Sequence, residues 1–272
     1  MSHTIRNAQI SASLLIFGPM LAGCEPDVDI NGQQGVPIAE VEMAGPPPTD
    51  VVLSSGDTVI LTTGDTFAIT IDGTNIESLR FVRDAEVIGV ACENGWNGKN
   101  DATIRITMPP PEDVVVAGSG TIKAQSLAST SEITIGGSGT VEFGTVAADK
   151  LGINIGGSGT VRGAGTVRRL EINIGGMGDI AMPTLKADSA EINIGGSGDV
   201  AFASDGDVKA TIAGAGDVQV SGGAKCTVET FGSGTLTCTP ASAGTTAAIP
   251  ADVRVPEAST APQVPTAAKS AQ

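Results

Sequence analysis

Tyrosine is absent from this 272-residue chain, histidine and tryptophan occur once each, and basic residues are half as many as acidic ones, 15 against 30. Each shortage narrows the function classes. A formal charge of −15 gives no electrostatic reason to seek nucleic acid or anionic lipid. The lone histidine is His3, so from residue 4 onward the usual general base near neutral pH and the commonest transition-metal ligand are missing. With Trp96 alone and no tyrosine, a sugar-processing groove lacks its aromatic platforms. Helical signals are missing as well, since no 10-residue stretch pairs an apolar helical period with caps.

Glycine, by contrast, is plentiful at 37 residues, and it is ordered. The phrase Gly-x-Gly, then Thr or Asp, then an aliphatic residue is written seven times. Its first glycines are Gly118, Gly137, Gly157, Gly176, Gly196, Gly214 and Gly232, in steps of 18 to 20 residues. A fixed step near 19 over so long a stretch marks a solenoid, in which each repeat is one coil stacked on the last.

Alignment on that glycine exposes the core. Four places after it stand Ile122, Val141, Val161, Ile180, Val200, Val218 and Leu236. Two and four places before it come pairs such as Ile153 with Ile155, Ile172 with Ile174 and Ile192 with Ile194. The apolar period is two and β-branched residues dominate, so these are strands with alternate side chains inward. Thr134, Asn154, Asn173, Asn193 and Thr211 fall between them and point out, stacked at about 4.8 Å if successive coils pair in parallel. The reading is all-β: a right-handed parallel β-helix of about seven 18–20-residue coils. Ahead of it, residues 51–61, 66–71, 79–82, 86–91 and 102–108 read as strands that form irregular early coils or a small antiparallel cap.

The ends carry a different message. Arg6 and the short apolar run Leu14 to Phe17 lead to Leu21-Ala22-Gly23-Cys24, which resembles the lipobox of bacterial lipoproteins. That resemblance implies cleavage after Gly23 and a lipid on Cys24, and Glu25 in the next place leans toward the outer membrane. The expected organisation is a lipoprotein signal at 1–23, a flexible Pro/Gly-rich tether at 24–49 and a β-helix domain at 50–240. Within the domain, 50–110 is the cap and 111–240 the regular coils. An Ala/Thr/Ser/Pro tail without the means to form a core fills 241–272.

The repeated wording Gly152-Ile153-Asn154-Ile155-Gly156-Gly157-Ser158-Gly159, with its relatives at 171–178 and 191–198, is similar to the signature of bacterial head GIN domain proteins. The likeness spans about residues 51–240. It implies a β-helical cell-envelope domain of the kind described as auto-transporter adhesin heads, with no catalytic residue to carry over. No outer-membrane translocator segment accompanies it here, so the lipid-anchored reading takes the place of the auto-transporter one.

Candidate sites follow from what decorates the coils. The Asn154, Asn173, Asn193 ladder and Trp96, in a polar loop between two strands, are candidate binding residues. Asp179, Asp199 and Asp217 occupy one corner place in successive coils, where stacked like charges would welcome calcium; Asp is also an ordinary turn residue, and that is the stronger reading. Cys226 and Cys238 both point into the last coil and are expected to form a disulfide across it, with Cys92 left in the cap. No cofactor is expected. The expected function is a lipid-anchored, non-enzymatic adhesion or binding module of the cell envelope, meeting the membrane through Cys24 and an unknown protein or glycan ligand through its faces. The alternatives are a polysaccharide-active enzyme on the same scaffold, with Arg162, Arg168 and Arg169 near Glu171, and a purely structural envelope protein.

Overall fold

A computed structural model describes residues 30, 33–93 and 101–240. Its lead-in holds β1 (Asp50–Leu53), β2 (Thr58–Thr63), β3 (Ala68–Asp72), β4 (Leu79–Arg83), β5 (Val87–Cys92) and β6 (Thr103–Met108). The regular region begins with β7 (Asp113–Val116), β8 (Thr121–Ala124), β9 (Thr130–Ile135) and β10 (Thr140–Ile155). It continues with β11 (Thr160–Ile174), β12 (Asp179–Ile194) and β13 (Asp199–Ile212). The last coil and a half comprises β14 (Asp217–Ser221), β15 (Lys225–Thr230) and β16 (Thr235–Thr239). All sixteen join in one sheet that winds as a β-solenoid of about seven turns.

Register explains the sequence columns. Strand β10 pairs in parallel with β9 below and β11 above, setting Ile153 against Ile133 and Ile172, and Ile155 against Ile135 and Ile174. The same alignment runs through β12 and β13, to Ile192 with Ala210 and Ile194 with Ile212. These side chains are almost wholly removed from water and form one continuous core with Val141, Val161, Ile180, Val200 and Val218. The long strands bend where the register slips, between Glu142 and Thr145 and between Arg162 and Gly165. At that bend Gly163 stands where neighbouring coils carry Phe143, Met182 and Phe202, and a Cβ there would collide with the Phe143 ring.

The lead-in is both early coil and cap, with an order in space that differs from its order in the chain. β1 lies between β5 and β7, and β2 between β6 and β8, every pairing parallel. The first coil is therefore laid down at β1–β2, the β5–β6 coil is slid beneath it, and β7–β8 stacks on its other side. β4 then closes the edge of β5 and β3 that of β6, both antiparallel.

Residues 33–49 correct the expectation of a tether reaching to residue 49. Val36 and Phe81 exchange backbone hydrogen bonds of 2.8 Å, and Val41 is buried in the core. The Arg83 guanidinium donates to the carbonyls of Glu42, Ala44 (2.8 Å) and Pro46 (3.0 Å) while lying over the Phe67 ring at 4.4 Å. A planar fork with several fixed donors can bind three carbonyls and stack at once. Read as sequence, this segment is only Pro- and Gly-rich; what orders it is the Val36–Phe81 bridge, the burial of Val41 and an arginine some forty residues away. Among the described residues no helix is long and apolar enough to cross a membrane.

Candidate functional site: an amide ladder beside an open trough

Each regular corner doubles or nearly doubles its glycine, and the two neighbours have different reasons to be there. A Cβ on Gly157, Gly176, Gly196, Gly214 or Gly232 would run into the carbonyl oxygen of the corner glycine one coil below. A Cβ on Gly159, Gly178, Gly198 or Gly234 would strike the side chain of an inward isoleucine. These two columns are demanded by the close stacking of coils.

The column just before them is not. A Cβ on Gly156 would meet nothing within 4 Å, on Gly175 only a carbonyl oxygen at 3.9 Å, and on Gly195 a carbonyl oxygen at 3.7 Å and the Gly175 Cα at 4.0 Å, all ordinary contact. None of the three has a positive φ. The backbone hydrogen bonds carry this column from Ala117 through Gly136, Gly156, Gly175 and Gly195 to Ala213 and Phe231. Ala213 and Phe231 show that a side chain fits the place, and Phe231 is 72 % exposed. Omitting side chains along four coils costs each glycine about 0.5–1 kcal/mol against alanine. What it leaves is a trough of about 570 Å³, floored by glycine and by the backbone of Ile135, Ile155, Ile174 and Ile194, whose side chains point into the core.

Its wall is the predicted ladder. Thr134, Asn154, Asn173, Asn193 and Thr211 stack in register along the trough. The Asn173 Nδ2 donates to Asn154 Oδ1 (2.9 Å) and the Asn193 Nδ2 to Asn173 Oδ1 (3.1 Å), while Asn154 Nδ2 donates to Glu132 Oε1 (2.7 Å). Asn154 and Asn173 each use one donor and one acceptor within the ladder and Asn193 one donor, so a second N–H and further lone pairs remain for a ligand. The foot of the ladder is acidic. Glu132 lies beside Asp113, which lies beside Asp50. Partial burial holds the Asp113 carboxyl above the usual range, with the charges of Asp50, Glu132 and Glu112 adding to the rise.

The other candidates come out differently. Asp179, Asp199 and Asp217 do stack at one corner, and Asp199 and Asp217 each accept from the coil above through one carboxylate oxygen. Asp199 Oδ1 accepts the Asp217 N–H (3.1 Å), and Asp217 Oδ1 accepts both the N–H (3.1 Å) and hydroxyl (2.6 Å) of Thr235. Among the described residues no three or more carboxylate, cysteine or histidine side chains gather as a metal site. Cys226 and Cys238 are joined, with Cα atoms 6.7 Å apart, and Cys92 is buried at the end of β5. Trp96 and Cys24 lie outside the described residues. Arg162 faces Glu142 (3.9 Å), Arg168 faces Asp149 (3.1 Å) and Glu171 faces Lys150 (2.8 Å), so Arg162, Arg168 and Glu171 each pair between coils and not with one another.

Sequence reasoning found the amides and missed the floor. The signal was present in the doubled glycines of 156–157, 175–176 and 195–196, only one of each pair having a steric reason. Phe231 was overlooked because it follows the last strand of its face.

Comparison with known proteins places the fold. The family described as "Putative auto-transporter adhesin, head GIN domain" matches residues 47–224. The chain is similar in structure to a putative adhesin of Bacteroides fragilis, with a TM-score of 0.64 at 18 % identity over 71 % of this chain and 92 % of that one. It is likewise similar to a putative lipid binding protein of Parabacteroides distasonis, with a TM-score of 0.55 at 20 % identity over 71 % and 93 %. A putative adhesin of Parabacteroides merdae gives a TM-score of 0.51 at 18 % identity over 71 % and 92 %. At these identities the likeness is one of fold. No curated protein matches the chain.

Proposed function

The chain belongs to the head GIN domain family, and on that premise we propose that it is a lipid-anchored, non-enzymatic binding module of a bacterial cell envelope. The observation that carries the binding reading is the column of glycines at 156, 175 and 195, which the fold does not require and which keeps the trough beside the amide ladder open. Glycine placed where nothing presses on it is a place where a ligand or another backbone comes close. Binding rather than chemistry fits a wall made of neutral amides, which neither titrate near neutral pH nor act as nucleophiles. The adhesin descriptions of the family and of two similar folds support an envelope-associated role, and the lipobox-like Cys24 supplies the anchor.

The test fills the trough without touching the core. In Gly175→Leu the new side chain enters open space, so the melting temperature holds while adhesion of cells displaying the full chain falls toward that of cells lacking it. Undiminished adhesion by Gly175→Leu and by Asn173→Ala together would remove the site. Protease shaving of intact cells reads the exposed face, and a fully protected domain would end the adhesin reading. Incorporation of labelled palmitate that disappears in Cys24→Ala reads the anchor.

A second reading, lipid binding, is favoured by the carbon-rich floor of the trough and by the description of one similar fold as a putative lipid binding protein. Co-flotation of the full chain with phosphatidylcholine vesicles, abolished by Gly175→Leu, would select it over adhesion.

A further inference from the structure

The two ends of the solenoid are finished differently. At the start, β3 and β4 lie antiparallel over the edges of β6 and β5, and the strap from Val36 to Pro46 covers β4 in turn. At the other end, among the described residues, no strand pairs with the outer edge of β15 or β16. The inward side chains of that coil have no layer above them. Val228, which continues the column of Ile192 and Ala210, is 44 % exposed, and Cys226, Leu236 and Cys238 are only half-buried. Solenoids need a polar finish at each end, and an open strand edge invites another strand.

We propose that a second copy of this chain occupies the terminal coil, with β15 of the two copies running antiparallel about a two-fold axis through Thr227. Strand β15 reads Lys-Cys-Thr-Val-Glu-Thr, and its outward residues are Lys225, Thr227 and Glu229. Antiparallel pairing centred on Thr227 sets Lys225 opposite Glu229 of the second copy, and Glu229 opposite its Lys225, at cross-strand distance. A two-fold interface must be complementary to itself, and this strand is, because its charges exchange sign when it is read backwards. Both side chains are exposed, and neither belongs to an ion pair among the described residues. The same register sets Val228 opposite Cys226 of the second copy on the inward side of the strand.

The other occupant at hand is the chain beyond residue 240. It places prolines at 250, 256, 262 and 265 and has few large apolar side chains, which makes it a poor strand donor and a poor cover for Val228. The family match ends at residue 224, just before β15.

Sedimentation velocity of the full chain tests the proposal, with circular dichroism to show that each variant is folded. The wild type sediments as a concentration-dependent dimer. Lys225→Glu, which sets like charges opposite each other, raises the dissociation constant at least tenfold, and Glu229→Lys does the same. The double variant Lys225→Glu with Glu229→Lys restores the original constant, which no general effect on solubility would do. A wild type that stays monomeric up to its solubility limit, or a double variant no tighter than the singles, overturns the proposal.

Discussion

At the residue scale the molecule distinguishes adjacent glycines that look alike in sequence. Gly176→Ala pushes a methyl group into the carbonyl oxygen of Gly157, and since backbone cannot step aside cheaply, a loss of about 1–3 kcal/mol is expected. Gly175→Ala, one residue earlier, enters open space and limits the unfolded chain, so it should be neutral or stabilising by up to about 1 kcal/mol. Chemical denaturation of the two variants checks the pair, and equal losses would remove the argument that the trough floor is optional to the fold. Asp113 gives a second residue-level prediction, in pH. Its carboxyl is held up by burial and by the neighbouring charges of Asp50, Glu132 and Glu112, so the folded protein keeps this proton longer than the unfolded chain does. A raised carboxylate contributes stability that is complete below the ordinary value of 3.8 and is lost as pH rises through the folded value. Asp113→Asn should therefore raise the melting temperature at neutral pH and lose that advantage below 3.8. A gain that is the same at both pH values would point to packing instead of charge.

At the scale of elements, the regular strands were legible because one rule repeats: Ile153, Ile155 and their successors alternate with polar residues and recur at a fixed step, and parallel register turns that recurrence into a core. The lead-in was legible only as separate strands. Its pairing depends on contacts between β1 and β7, or β2 and β8, that lie some sixty residues apart and leave no period to read. The strap was illegible for the same reason. Nothing near residues 42–46 announces that Arg83 will bind their carbonyls, and Arg83 itself sits at the end of an ordinary strand. Because three carbonyls and the Phe67 face depend on one guanidinium, Arg83→Ala should free the strap while leaving the coils intact. Hydrogen exchange at Val36 and Val41 should then rise sharply, with Ile153 and Ile172 unchanged. Arg83→Lys should restore little, because an ammonium offers neither the planar fork nor the stacking face. Protection at Val36 that survives Arg83→Ala would show that the Val36–Phe81 bridge holds the strap unaided. The packing of Ile30 also sets how far a lipid on Cys24 could stand from the domain: five residues lie between the two, a reach of at most about 20 Å.

At the scale of the whole molecule, stability is a one-dimensional matter. Each coil touches only its neighbours, so a change at one end is felt there first and travels only if the next coil cannot stand alone. The column begins under β3, β4 and the strap and ends on β15 and β16, whose cover among the described residues is the coil below and a single covalent link. That link joins Cys226 on one face to Cys238 on the other, across a separation of 12 residues. In the chain-entropy model, closing so short a loop contributes about 3 kcal/mol. In a globular domain reduction would lower the stability of everything together; in this array it should loosen the last coil alone. Reduced protein should therefore exchange the amides of residues 225–239 about a hundredfold faster, the equivalent of that free energy. The amides of β10 to β12, several coils away, should keep their protection. Uniform acceleration through the column would mean that the coils unfold as one cooperative unit. The pattern also bears on self-association, because a frayed β15 can no longer set Lys225 opposite Glu229 of a second copy. Reduction should abolish the dimer at concentrations where the central coils remain fully folded, and a dimer that survives reduction would have to be held by another face.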